Sequence, residues 1–323
     1  MPKAKVAFYW CASCGGCEEA QVDLADKLFD LVEAADIVLW PVAMDFKRED
    51  VERMPDGSID VAIINGGIRM SEHEEMVKLL RRKSKLVVAY GSCAHMGGIP
   101  ALANAYTKES IFKYAYEEAP TVNNPEGRRP EVRASFDGVE LELPAFLDYL
   151  KPLDEVVEVD YYIPGCPPTP EITWEAISSI LSGKLPPKGH VFGSDRALCY
   201  ECPLNETKPE KISLDTIKRP HQIVLDPNKC YLTQGVLCMG PVTRGGCKAL
   251  CIKGNMPCTG CFGPVDGVSY QGAKALSFFS SIINIDDENT FRKLVEELGV
   301  DPLGWFAKYC LGKGTIYRKK EER

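Results

Sequence analysis

The segment Lys85-Leu86-Val87-Val88-Ala89-Tyr90 runs straight into Gly91-Ser92-Cys93, and that transition decides the fold. A mostly apolar, β-favouring run stopped by a glycine reads as a strand buried on both faces. The same grammar recurs around it. Lys5–Trp10 is a short run rich in Val, Phe, Tyr and Trp, and Asp60–Asn65 (Asp-Val-Ala-Ile-Ile-Asn) closes on Gly66-Gly67. Asp36–Val42 is apolar and ends near Pro41, and Val156–Ile163 is stopped by Pro164-Gly165. Helical spacing lies between these runs: Cys17–Ala34 (Ala20, Leu24, Leu28, Leu31, Val32), Glu72–Arg82, and Glu171–Leu181 after a helix start at Pro170. Alternating strand and helix with near-continuous apolar strands predicts an α/β fold built on a doubly wound parallel sheet.

Outside those runs the pattern fades. Asn123–Pro130 is a polar insertion, expected as an exposed loop. After Leu185-Pro186-Pro187-Lys188-Gly189 the periodicity largely stops, and the chain is rich in Gly, Pro and Cys to about residue 265. Such a segment forms little regular structure, so bound cofactors are expected to replace part of its core. A domain boundary is therefore expected at 185–195, giving units 1–188 and 189–323. The tail Arg318–Arg323 reads as solvated charge.

The 323 residues carry a net charge of −8 and are 45% apolar, which disfavours a nucleic-acid partner. No uninterrupted apolar run reaches the ~18 residues of a membrane span. Met1–Trp10 leads directly into a strand pattern, without a signal-peptide h-region or twin-arginine leader, so a cytoplasmic location is expected. No phosphate-binding glycine loop is found.

Fourteen cysteines in a reducing compartment point away from disulfides and toward metal or cluster ligation. Twelve fall into three sets of four: Cys14, Cys17, Cys93 and Cys166; Cys199, Cys202, Cys230 and Cys238; Cys247, Cys251, Cys258 and Cys261. Four thiolates suit one cubane iron–sulfur cluster, so the chain reads as a carrier of three [4Fe-4S] clusters and as an electron-transfer protein. The first set is scattered in sequence, but each member follows a predicted strand, and a parallel sheet gathers its strand ends on one edge. Gly15, Gly16, Gly91, Gly97, Gly98 and Gly165 allow close backbone approach there. The rival reading makes Cys93 and Cys166 buried small hydrophobes. In the other two sets, Cys199-x-x-Cys202 and Cys258-x-x-Cys261 also suit a zinc ribbon, and the division of thiols between them is left open.

Cys11 is expected as a buried neighbour and Cys310 as core. His95, His190 and His221 read as solvated or locally bonded. Glu18 reads either as a proton relay or as a first-turn carboxylate favoured by the helix dipole.

Four strings carry a family resemblance: Ser13-Cys14-Gly15-Gly16-Cys17-Glu18, Gly91-Ser92-Cys93-Ala94-His95-Met96-Gly97-Gly98-Ile99-Pro100, Pro164-Gly165-Cys166-Pro167-Pro168-Thr169-Pro170, and Leu237-Cys238-Met239-Gly240-Pro241-Val242-Thr243 followed by Pro257-Cys258-Thr259-Gly260-Cys261. In these the chain resembles the small, iron–sulfur subunit of [NiFe] hydrogenases, and within them the cytoplasmic methyl-viologen-reducing type that works with heterodisulfide reductase in methanogens. The resemblance implies a flavodoxin-like domain with a proximal cluster and a smaller, largely irregular domain with medial and distal clusters. It also implies a large subunit carrying nickel and iron, an electron-accepting iron–sulfur subunit, and no catalytic residue in this chain. Three departures stand out. Cys199 replaces a histidine ligand of many members, the third set offers a full four cysteines, and Asn65-Gly66 stands where the family often has Glu-Gly. The alternatives are an electron relay of a non-hydrogenase redox complex and a zinc-stabilised interaction module.

Overall fold

The computed structural model describes residues 3–285, 287–298 and 301–314; the tail Arg318–Arg323 lies outside them. Among the described residues nine strands form: β1 (Ala4–Trp10), β2 (Ala35–Leu39), β3 (Ile59–Asn65), β4 (Ile68–Met70), β5 (Ser84–Tyr90), β6 (Arg133–Phe136), β7 (Val139–Glu142), β8 (Phe146–Lys151) and β9 (Tyr161–Ile163). Five of them make one parallel sheet in the order β2-β1-β3-β5-β9. Counting only its own strands, that is the flavodoxin-like order, with the reversal between the first and third strands. Strands β4 and β8 pair separately, and β6–β7 is a hairpin whose residues are all exposed.

Seven helices accompany the sheet: α1 (Gly16–Val22), α2 (Lys27–Ala34), α3 (Arg48–Arg53), α4 (Ser71–Lys83), α5 (Gly91–Met96), α6 (Lys108–Lys113) and α7 (Pro170–Leu181). Alternate strand residues face opposite layers. Val6, Phe8, Ile63 and Val88 meet Leu31 of α2 and Ile172 and Ile177 of α7. Ala7, Ile64 and Val87 meet Met76, Val77 and Leu80 of α4. Each fully buried aliphatic side chain contributes about 1.5–3 kcal/mol.

Three boundaries differ from the sequence reading. The helix expected over Cys17–Ala34 is two, α1 and α2, with Ala25 between them at φ 50°. The second strand stops at Leu39, where Trp40 accepts turn bonds from Ala43 and Met44. The strand expected over Val156–Ile163 shrinks to β9. Leu153–Glu155 is a 3₁₀ turn, and the Asp160 carboxylate accepts the Val87 N–H at 2.8 Å in place of a ladder bond. Past β9, residues 190–192 extend the sheet edge: Tyr162 N–H donates to His190 C=O and Phe192 N–H to Tyr162 C=O.

From residue 193 onward short 3₁₀ turns dominate up to α8 (Leu250–Lys253), followed by α9 (Gln271–Ile282), α10 (Glu288–Leu298) and α11 (Pro302–Phe306). A core of Leu198, Tyr231, Leu237, Val242 and Phe279 forms there, with Cys238 and Cys258 inside it. Among the described residues no helix is long and apolar enough to cross a membrane.

Candidate metal centre

Three strand ends converge at the carboxyl edge of the sheet. After β1, Cys11 N–H donates to Asn65 C=O, and Ala12 and Gly67 exchange backbone bonds of 2.9 Å each. Those bonds clamp the loop after β1 to the loop after β3. Gly15, at φ 87°, then caps α1, leaving Cys14 exposed and Cys17 buried in the first turn. After β5, Gly91 at φ 82° turns the chain into α5, which carries Cys93. After β9, Gly165 C=O accepts from Ser92 N–H at 2.7 Å and Ser92 Oγ at 2.8 Å, tying the Cys166 loop to the Cys93 turn.

The first set is thereby assembled. Burial first, then the neighbouring Cys93, Cys166 and Cys14, push the Cys17 thiol upward. Burial, with Cys166 and Cys14, pushes Cys93 up to about 12. A Cβ on Gly91 would fall on Cys17 Sγ, and one on Gly98 would fall on Cys93 Sγ. Both glycines have positive φ, so backbone conformation and close approach each demand them.

The other two sets each line one pocket: Cys199, Cys202, Cys230 and Cys238 the first, Cys247, Cys251, Cys258 and Cys261 the second. Burial raises the thiols of Cys199, Cys230, Cys247 and Cys258, and takes Cys238 and Cys261 up to about 12. Backbone N–H groups aim at these sulfurs: Cys258 N–H at Cys238 Sγ and Gly260 N–H at Cys258 Sγ, both 3.4 Å, and Leu232 and Thr233 N–H at Cys230. Among the described residues no three His, Cys, Asp or Glu groups close on a single metal ion. Four thiols per set, glycines opening the approach and amides pointing at sulfur fit an iron–sulfur core, whose positive irons stabilise thiolates that are otherwise costly to bury.

The sets also touch one another. Cys166 lies beside Cys261, and Ser92 Oγ donates to Cys261 C=O at 2.5 Å, joining the first set to the third. The Cys258-to-Cys238 bond joins the third to the second. The spatial order is first, third, second.

Cys11 is buried in the layer under α4, and Cys310 is buried against Met96 and Leu311. His190 and His221 are exposed, as expected. His95 is not solvated: it is buried with its ring 4.7 Å from that of Tyr162, and burial holds it well below the usual histidine range. Glu18 does lie in the first turn of α1 but is buried, accepting from Trp40 Nε1 and Asn65 Nδ2 at 2.5 Å each. Asn65 was legible as a departure from the family pattern. Trp40, Ser92 and Lys208, which lines the Cys199 pocket, carried no sequence signal beyond position.

A family model described as NADH ubiquinone oxidoreductase, 20 Kd subunit, matches residues 14–180. The iron-sulfur subunit of the F420-non-reducing hydrogenase of Archaeoglobus profundus is 42% identical over 299 residues, 92% of each chain. A subunit of the F420-non-reducing hydrogenase of Methanothermobacter thermautotrophicus is 34% identical over 320 residues, 98% of this chain and 97% of that one. A solved [NiFeSe] hydrogenase from Desulfovibrio vulgaris Hildenborough shares the fold, with TM-score 0.53 and 17% identity over 83% of this chain and 95% of that one. With its parallel sheet and thiol-lined edge, the chain belongs to the small, electron-transferring subunits of [NiFe] hydrogenases, oxidoreductases whose catalytic site lies on the large-subunit partner.

Proposed function

We propose that this subunit holds three [4Fe-4S] clusters, on Cys14/Cys17/Cys93/Cys166, on Cys247/Cys251/Cys258/Cys261 and on Cys199/Cys202/Cys230/Cys238. The observation that carries this reading is the linear order of the thiol sets, linked by the Cys166–Cys261 and Cys258–Cys238 contacts. When bound, each cluster supplies a one-electron carrier, so three in this order make a wire. The protein's own residues keep the sulfurs dry, donate amides to them and fix the loops relative to one another.

Cys14, the exposed member of the first set, marks the side facing the nickel-bearing large subunit. The Cys199 set, at the other end, faces an electron-accepting iron–sulfur subunit of the heterodisulfide reductase type. The sheet unit 1–188 carries the first set and the unit 189–323 carries the other two, in a cytoplasmic complex. A zinc module has weaker support, because the similar Archaeoglobus chain is an iron-sulfur subunit.

Metal analysis of the anaerobically purified complex tests the reading. It requires about twelve irons and twelve acid-labile sulfides for this chain, three cubanes of four each. Colourless or zinc-bearing protein overturns it. Co-purification with a nickel subunit and a heterodisulfide reductase subunit tests the partners.

A further inference from the structure

Two charged side chains sit at opposite ends of the three thiol sets and differ in sign. Glu18, next to Cys17 in sequence, is 5% exposed. Its two oxygens accept from Trp40 Nε1 and Asn65 Nδ2, one each. Asn65 is itself fixed: its Oδ1 accepts from Ser13 Oγ at 3.3 Å and its Nδ2 also reaches Tyr9 C=O at 3.4 Å. Both partners of Glu18 are neutral, so neither cancels its charge. That charge acts on Cys17 and on Tyr90.

At the far end Lys208 lines the pocket of Cys199, Cys202, Cys230 and Cys238, where its ammonium acts electrostatically on Cys199 and Cys230. Lys308, half-buried as Lys208 is, acts on Cys166 of the first set and opposes Glu18 there. Water therefore screens it more than it screens Glu18.

We propose that Glu18 and Lys208 set a step in reduction potential along the chain, Glu18 lowering the potential at the Cys14 set and Lys208 raising it at the Cys199 set. Adding one electron makes a cluster one unit more negative. A buried anion disfavours that addition and a nearby cation favours it, with strength set by distance and local dielectric. The step biases electrons away from the large-subunit side and toward the acceptor side. Trp40 and Asn65 are positioning residues that hold Glu18 in place. This inference rests on the three-cluster reading above.

The test is a potentiometric titration, followed by electron paramagnetic resonance, of the intact complex carrying Glu18→Gln or Lys208→Gln. Glu18→Gln is expected to raise the potential of one signal, and Lys208→Gln to lower that of a different signal. Each shift is expected to change the reduction equilibrium about tenfold, ~59 mV for a one-electron couple. A purely structural role would alter yield or melting without opposite shifts at two signals. Lys208 is partly exposed, so its variant is expected to fold even where the Glu18 variant does not, and it alone suffices to refute. Cubane signals at unchanged potentials in a folded variant, or a shift of the wrong sign, overturn this inference and leave the three-cluster reading standing. Absence of cubane signals in the parent complex overturns both.

Discussion

The sheet and the cysteine-rich segment hold themselves together by different means. Strands β1, β3 and β5 are buried on both faces, against Leu31 and Ile177 on one side and Val77 and Leu80 on the other. Their backbone groups are paired in regular ladders. The segment from 193 to 265 has a smaller core, two of whose members are Cys238 and Cys258, and its backbone bonds are mostly single turns. The first region is ordered by apolar area; on the three-cluster reading the second relies on thiol-bound cofactors to reach comparable order. The edge of the sheet belongs to both regimes, because a rigid scaffold there presents glycine-rich loops.

Removing the iron probes that contrast most strongly. Anaerobic chelation should abolish hydrogen-exchange protection across 195–265 while β1, β3 and β5 stay protected. Structural metals contribute on the order of 10 kcal/mol to small sites. Uniform loss, or none, would break the comparison. Next in size is Gly91→Ala, which adds positive-φ strain and a collision with Cys17 Sγ. It should cost about 3 kcal/mol or more and deplete iron at the first set, whereas Gly57→Ala, also at positive φ but in open space, should cost only about 1–2 kcal/mol. Iron content and denaturant midpoints measure both.

In the sheet, Ile64→Ala should cost about 2–5 kcal/mol, read by chemical denaturation, with iron retained. A pH effect comes next. Asp160 is buried; burial pushes its carboxyl up, but Lys188 at 2.6 Å, Arg81 at 2.7 Å and the Val87 N–H outweigh this and hold it below the usual range. A lowered folded pKa stabilises the protein above the unfolded value, about 3.9. That stability is lost as pH falls through the folded value. The stability gap between the parent and Asp160→Asn should therefore narrow below about pH 4; a gap that widens there would contradict the assignment. Smallest of all, Lys78→Gln breaks an exposed i,i+4 pair with Glu74 and should change stability by about 0.3–0.5 kcal/mol, with no effect on iron.

Much of the sheet was legible because continuous apolar runs such as Asp60–Asn65 admit few other readings, and glycine marked their ends. The first cysteine set followed, since topology alone carries the ends of β1, β5 and β9 to one edge. What escaped was decided by side chains acting as backbone. Asp160 replaces a ladder bond and shortens β9, and Ala25 takes a left-handed turn that no local pattern announced. The contacts around Glu18 were hidden for a different reason: Trp40 follows β2 and Asn65 ends β3, and only the sheet order brings them to one carboxylate.

Ser92 offers its single hydroxyl proton to two carbonyls, Gly165 at 2.8 Å and Cys261 at 2.5 Å. One small side chain thus acts as a ruler between the scaffold and the segment it carries. On the three-cluster reading, that spacer would fix the gap across which an electron passes from the first set to the third.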